Sequence, residues 1–393
     1  MDTLKLLFWI SIIILFYTYI GYGIIISVAA TIKRKLTKPE LSNSVYEPEV
    51  TILIAAFNEK DYIKQKTQNT FNLDYPAHKL KQVWVTDGSN DESNLLLQNI
   101  AGVSVLHQPE RKGKVAAINR AMPYVETPIV IFSDANTILN RNAVKNIVKH
   151  FRDKKVGCVA GEKRIVSKKA DNASGAGEGL YWKYESQLKK WDSQLNSAIG
   201  AAGELFAIRT ELYENVEENI LLDDFIISLR IACKNYKIVY ESDAYAIENA
   251  SLNVKEELKR KIRISAGGIQ SIIIMKQLWN FMKHPILSFQ FISHRAMRWT
   301  IAPLLLPIVF LINMALVSQY FHQINTYSVI LILQTLFYLI ALCGWLLSLK
   351  SIKVKLIYIP YYFFIMNYSV YAGFIRLVSK NQNVLWAKVQ RAQ

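Results

Sequence analysis

The sequence predicts an α/β domain with a mostly parallel sheet, flanked by transmembrane helices. Three observations carry that prediction. Between residues 48 and 276, short apolar runs alternate with polar stretches of helix length, the pattern of βαβ units. Long charge-free apolar segments lie on either side of that region. The chain of 393 residues is also 51% hydrophobic while carrying a formal net charge of +16. That pairing suits a membrane protein with a basic cytosolic face, because anionic lipid attracts juxtamembrane Lys and Arg.

Taken in order, residues 1–30 form the first span. Leu6 to Ala30 carries no charge and exceeds the ~20 residues needed to cross a bilayer. Lys33, Arg34, Lys35 and Lys38 follow in a basic linker, residues 31–47, and the positive-inside rule puts them in the cytosol. In the 48–276 domain the runs VTILIAA, QVWV, VSVL, IVIF and VGCVA read as strands. DESNLLLQNI and GKVAAINRAM read as helices between them. Residues 277–299 mix aromatics with His284, His294, Arg295 and Arg298, which predicts an amphipathic helix lying in the membrane interface. Residues 300–378 hold two to three further spans, with Pro360 and several tyrosines weakening the last, and Lys350, Lys353 and Lys355 mark a cytosolic loop between them. A basic tail, residues 379–393, closes the chain with Lys380, Lys388 and Arg391.

Other partner classes fit less well. No nucleic-acid motif accompanies the basic balance. The cysteines Cys158, Cys233 and Cys343 lie far apart with no C-x-x-C pair, so neither a disulfide framework nor a thiolate zinc site is indicated. No G-x-G-x-x-G follows the first strand and no P-loop is present, which argues against a dinucleotide oxidoreductase.

In open α/β sheets, ligands bind beyond the carboxyl ends of the strands. Those ends carry Ala55, Asn58 and Glu59 after the first strand, Thr86 and Asp87 after the second, and Ser133, Asp134 and Asn136 after IVIF. Each cluster alone reads equally as loop or helix-cap chemistry. Three carboxylates on one rim repel one another unless a cation or a ligand's donors sit among them. Hard oxygen ligands beside a diphosphate are the usual setting for Mg²⁺ or Mn²⁺. Arg111, Lys112 and Lys114 stand at a helix start and could supply charge to phosphates, or form a solvated turn. Asp223 and Asp224 head a helix pattern, where they suit either the helix dipole or a general base. The small run Gly200 to Gly203 allows close approach of backbone or ligand. Lys259, Arg260, Lys261 and Arg263 form either a basic collar or a diphosphate clamp.

The order AAFNE, TDGSNDES, GKVAAIN, FSDANT, GELFAIR, LLDDF and KRKIR resembles the membrane-bound glycosyltransferases of family 2, which have a GT-A domain and include cellulose, hyaluronan and poly-N-acetylglucosamine synthases. The resemblance covers about residues 48 to 270. It implies that Ala55, Asn58, Glu59 and Asp87 hold the nucleoside, with Lys114 nearby. Asp134, as the first acid of a DxD motif, would face the donor diphosphate and its metal, with Asn136 as second ligand. Asp224 would be the catalytic base. Gly203, Glu204 and Asp223 would line the acceptor site, and Arg263 would match the arginine of QxxRW. The function implied is inverting transfer from a nucleotide sugar, a UDP-sugar foremost, to a saccharide or lipid-linked acceptor in cell-surface glycan synthesis. The enzyme would sit multi-pass in the cytoplasmic membrane with its catalytic domain in the cytosol. Three positions depart from the pattern: Thr86 replaces an aspartate, Asn136 the second acid of DxD, and Ile264 the tryptophan of QxxRW. The last disfavours a processive synthase and leaves single-sugar transfer open. A nucleotide-sugar-binding assembly or export component with a decayed site is the non-catalytic alternative.

Overall fold

The computed structural model describes residues 2–37, 46–166, 173–249, 254–319, 324–349 and 354–379. Lys38, Lys350, Lys353 and the tail residues Lys380, Lys388 and Arg391 lie outside them.

The chain builds one sheet of eight strands among these residues: β1 (Val50–Ala56), β2 (Leu80–Asp87), β3 (Val103–Gln108), β4 (Ile129–Asp134), β5 (Ile138–Leu139), β6 (Val156–Val166), β7 (Leu205–Arg209) and β8 (Lys237–Asn249). Their order across the sheet is β3-β2-β1-β4-β7-β6-β8-β5. The first four run parallel, β7 is antiparallel to both β4 and β6, and β6 and β8 run parallel.

Every residue of β1 is buried because both faces of the sheet are covered. Leu53 and Ala55 point into one core with Val85, Val130 and Phe132, beneath helices Lys114–Ala121 and Asp223–Cys233. Ile52 and Ile54 point into the other with Trp84 and Ile131, beneath helices Lys60–Phe71 and Ala143–Val148. Alternating side chains of a strand face opposite ways, so a doubly covered strand reads as an unbroken apolar run. That is why VTILIAA and IVIF were legible.

Antiparallel β7 starts where parallel β4 ends: Leu205 pairs with Ser133. Gly203 and Glu204 therefore arrive on the same rim as Asp134, although their strand runs the other way. Ala55 sits beside Asp134 in the β1–β4 register.

Three helices are long and apolar enough to cross a bilayer: Asp2–Leu36, Ile301–Gln319 and Thr326–Leu349. They mark a membrane protein. The first is continuous through a π-helical turn at Tyr17–Gly21 and runs on past Ala30, so Lys33, Arg34 and Lys35 occupy its last turn. The helix Lys355–Val378 packs its buried Tyr358, Tyr361 and Tyr362 against Tyr181 and Leu258 of the α/β domain.

Where one amphipathic helix is expected over 277–299, the chain is broken. A short helix Pro285–Phe291 passes through a π-helical turn Ile292–Ala296 to Met297–Trp299. Its polar residues face inward. Gln290 donates to Asp192 (3.1 Å), and His294 Nδ1 and Asp192 Oδ2 are 2.5 Å apart. Asp192 also accepts from the Tyr22 hydroxyl of the first span. One buried carboxylate thus ties the first span, the helix Ala173–Leu195 and the 285–299 segment together.

Candidate active site

A cavity of about 280 Å³ opens on the rim, lined among others by Glu59, Lys114, Asp134, Asn136, Gly203, Asp223, Asp224 and Arg263. Most of the residues that sequence reasoning drew from far-apart motifs line it; Ala55, Asn58 and Asp87 do not.

Beside the cavity lies a pair of interlocked strand-end loops. Asn58 adopts a left-handed backbone (φ 54). Its side chain donates to Asn90 Oδ1 at 2.8 Å and accepts from the Asn90 N–H at 2.9 Å. Asp87, only 1% exposed, accepts from the N–H groups of Lys112 (3.0 Å) and Gly113 (2.7 Å). It thereby pins the start of the Lys114–Ala121 helix. Thr86, which stands in place of an acid, turns to His107: its Oγ1 lies 2.8 Å from Nδ1. Arg111 lies flat on Phe57, 3.7 Å from the ring centre, and Lys112 pairs with Glu110 at 3.4 Å. Of the three cations at that helix start, Lys114 is the one whose side chain lines the cavity.

Lys114 Nζ lies 2.8 Å from Asp134 Oδ1. Burial alone would depress its pKa, but Asp134 and Asp223 outweigh burial and hold the ammonium charged. A Cβ added to Gly203 would stand 3.2 Å from Lys114 Nζ and 3.4 Å from Asp224 Oδ2. Gly203 is thus the point where the Asp134 pair and the Asp224 carboxylate meet, and only a residue without a side chain leaves both open to the cavity.

Asp223 and Asp224 occupy the first turn of their helix. Burial and the neighbouring Asp223 push Asp224 up to about 7, against the pull of Lys114. Asp223 Oδ2 is buried with no hydrogen-bond partner. Arg263, on helix Val254–Ile274, lines the same cavity and makes no ion pair or hydrogen bond among the described residues. Burial and Arg260 lower its pKa, while Asp134, Asp223 and Asp224 oppose them. Its charge is directed at the carboxylates without being locked to any of them.

Glu204 is placed differently. It pairs with Lys163 at 2.5 Å and with Arg260 at 3.2 Å, and Lys163 also grips Glu248. Burial would raise the Glu204 pKa, but these cations hold it well below the ordinary carboxylate range. Asn136 joins the same cluster by donating from Nδ2 to Glu248 at 3.3 Å.

Among the described residues, no three carboxylate, histidine or cysteine groups gather as a ready-made metal cage. The donors that are present still fit a hard cation. Asp134 has Oδ2 beyond its bond to Lys114, and Asn136 keeps Oδ1 because its amide nitrogen makes the bond to Glu248. Mg²⁺ is typically held by one or two such oxygens together with substrate phosphates.

Sequence reasoning missed several residues. Lys66, fully buried, donates to Ser133 Oγ (2.7 Å) and the Thr137 carbonyl (2.8 Å), and burial lowers its pKa to about 7. It props the Asp134 loop from below. Its signal was the i, i+3, i+4, i+7 spacing of Ile63, Lys66, Thr67 and Thr70, all buried on one helix face. Lys163, Lys189 and Trp299 had no motif around them. Trp299 lines the cavity with Ile264 and packs onto Gly268, where a Cβ would lie 2.4 Å from its ring.

Strand order, rim carboxylates and flanking spans define a GT-A-like fold with membrane helices attached. The fold likeness is to a mannosyltransferase from Pyrobaculum calidifontis, solved in complex with GDP-Man and Mn²⁺. That likeness has a TM-score of 0.71 at 21% identity, covering 96% of this chain and 100% of that one. Residues 51–216 match the family model described as Glycosyl transferase family 2, so the chain carries a family 2 glycosyltransferase domain. It is 24% identical over 256 residues to poly-beta-1,6-N-acetyl-D-glucosamine synthase of Staphylococcus aureus, across 63% of this chain and 60% of that protein. It is 28% identical over 205 residues to beta-monoglucosyldiacylglycerol synthase of Trichormus variabilis, across 49% of this chain and 42% of that protein. The chain thus matches less than two thirds of the length of these relatives.

Proposed function

We propose that this chain is an inverting glycosyltransferase of the cytoplasmic membrane. It transfers a sugar from a nucleotide sugar, a UDP-sugar foremost, to a saccharide or lipid-linked acceptor in polysaccharide or glycolipid synthesis. One observation carries the reading. Asp224, an acid lifted to about 7 by burial and Asp223, flanks the same glycine as Lys114, which in turn holds Asp134. A proton acceptor and an anion-binding pair therefore meet at one point of the cavity.

In this reading Asp224 takes the proton of the acceptor hydroxyl as that oxygen attacks the anomeric carbon. The bond to the nucleoside diphosphate breaks, its electron pair leaves with the phosphate oxygen, and opposite-face attack inverts the centre. Lys114 and Arg263 stabilise the charge that develops on the diphosphate. Asp134 and Asn136 would hold Mg²⁺ or Mn²⁺, which when bound adds Lewis-acid stabilisation of the leaving group. Ala55, Asn58, Glu59 and Asp87 form the nucleoside side. Gly203 leaves room for the acceptor beside Asp224, Asp223 Oδ2 offers it a hydrogen-bond acceptor, and Glu204 fixes the wall behind. Lys33, Arg34 and Lys35 support a cytosolic domain by the positive-inside rule.

The test is nucleoside diphosphate release by the purified chain in nanodiscs, across UDP-, GDP- and dTDP-sugars, with Mn²⁺, Mg²⁺ or EDTA. Metal-dependent release with one donor, lost in Asp224→Asn while nucleotide binding persists, is the expected result. Nucleotide binding with no turnover of any donor, whatever acceptor is supplied, would favour the binding-component reading that Thr86, Asn136 and Ile264 motivate.

A further inference from the structure

Lys66 stands in the middle of helix Lys60–Phe71, fully buried on the same face as Ile63, Thr67 and Thr70. It makes no ion pair among the described residues. Its three ammonium hydrogens go to neutral oxygens: Ser133 Oγ (2.7 Å), the Thr137 carbonyl (2.8 Å) and Thr137 Oγ1 (3.1 Å). Burying an ammonium without a counter-charge is costly, and an uncharged chain such as methionine would serve packing alone. Burial works against the charge on Lys66, and Asp134 works for it.

The oxygens it holds bracket one turn. Ser133 lies near the end of β4 and Thr137 just before β5, and between them stand Asp134, Ala135 and Asn136. An ammonium donates and cannot accept, so both hydroxyls present lone pairs to it and send their own protons elsewhere. Thr137 Oγ1 donates to the Asp134 carbonyl at 2.8 Å. Ser133 Oγ has two acceptors at 3.2 Å, the Glu204 carbonyl and Thr137 Oγ1. One ammonium thus orders the backbone that carries Asp134 and Asn136, and ties it to the strand end that delivers Gly203 and Glu204. With methionine in its place both hydroxyls are free to rotate, and the Thr137 carbonyl loses this donor.

We infer that Lys66 is a positioning residue for divalent metal binding: by clamping Ser133 and Thr137 from below, it fixes how Asp134 and Asn136 present their oxygens. It touches neither metal nor substrate itself. The inference rests on the glycosyltransferase reading and deepens it, naming what sets the geometry of its metal donors. Two effects of the residue oppose each other. The clamp favours metal binding, whereas a buried positive charge near a cation repels it. The inference is that the clamp outweighs the repulsion, so removing Lys66 weakens metal binding.

Equilibrium binding to the full chain in nanodiscs tests it. Mn²⁺ is titrated in the presence of UDP or GDP, whichever the wild type binds, and free Mn²⁺ is read by electron paramagnetic resonance. Nucleotide binding in EDTA is measured on the same samples. Lys66→Met should weaken Mn²⁺ binding by about tenfold or more, the usual effect of losing a residue that orients a metal ligand. Metal-free nucleotide affinity should stay within about twofold, a split that a lysine serving only the packing would not produce. Thr137→Val keeps the shape and the carbonyl but removes the hydroxyl, and it should weaken Mn²⁺ binding in the same direction by a smaller factor. It carries the test if Lys66→Met does not fold. Combining the two should cost less than the product of the single effects, because both act through one clamp. Unchanged or tighter Mn²⁺ binding in either variant overturns the inference. Failure of the wild type to bind UDP or GDP with Mn²⁺ would instead overturn the glycosyltransferase reading beneath it.

Discussion

Lys114 Nζ and Asp134 Oδ1 stand 2.8 Å apart, joining the first turn of a helix to the end of a central strand. The ion pair holds Asp134 at the cavity, and it keeps Lys114 from spreading into solvent. A charge-assisted contact of this kind contributes about 1.5–3 kcal/mol. Lys114→Met should therefore lower donor turnover by about ten- to 150-fold, chiefly through kcat. Steady-state kinetics on the donor that the release assay identifies would check it; an unchanged kcat would remove Lys114 from the charge-stabilising role.

Asp224→Asn should lower turnover at least about a hundredfold, the usual worth of a positioned base, while nucleotide affinity holds. The wild-type pH profile follows from the raised pKa. A base must be deprotonated to work, so kcat should fall about tenfold per pH unit below about 7 and level off above it. A flat profile between pH 5 and 8 would contradict the assignment.

The same shift has a sign for stability. In the unfolded chain Asp224 loses its proton near the ordinary aspartate value of 3.8, whereas in the fold it keeps the proton up to about 7. Between those values the native state binds the extra proton, so stability falls as pH rises through that window. Asp224→Asn has no charge to bury, and its melting temperature should exceed wild type at pH 8 and match it near pH 3. Thermal unfolding at the two pH values measures the difference.

Lys163 holds two buried carboxylates, Glu204 and Glu248. Removing one partner of a buried ion cluster leaves uncompensated charge and costs about 3–5 kcal/mol. Lys163→Met should unfold at markedly lower temperature by calorimetry. Arg260, 3.2 Å from Glu204, stays with that carboxylate, while Glu248 loses the Lys163 ammonium.

Gly203→Ala is the converse case, a change in function without a change in fold. The new methyl would reach within 3.2 Å of Lys114 Nζ and 3.4 Å of Asp224 Oδ2. Acceptor KM should rise or kcat fall, while the melting temperature stays within a degree or two of wild type. A fully active Gly203→Ala would mean the acceptor does not pass this point.

Much of the architecture was legible because local chemistry carried it. The doubly buried strands β1 and β4 show as apolar runs, the strand ends show as carboxylates and amides, and the spans show as charge-free stretches. Asp134, Asp224, Lys114 and Gly203 could be named because each sits in a short motif. Lys189, Lys163, Lys66 and Trp299 could not, since nothing adjacent in sequence distinguishes a buried cation from a surface one.

The sequence by itself determined the α/β class, the membrane helices and the rim on which the site is built, because hydrophobic periodicity and strand-end chemistry are properties of neighbouring residues. Only the tertiary structure decided which charges are spent on one another and which remain for a ligand. Glu204, adjacent in sequence to Gly203, is held by Lys163 from β6 and Arg260 from the Val254–Ile274 helix. Arg263, three residues beyond Arg260, keeps its guanidinium without an ion pair among the described residues. Pairing depends on distances of a few ångströms between segments tens of residues apart, and packing sets those distances.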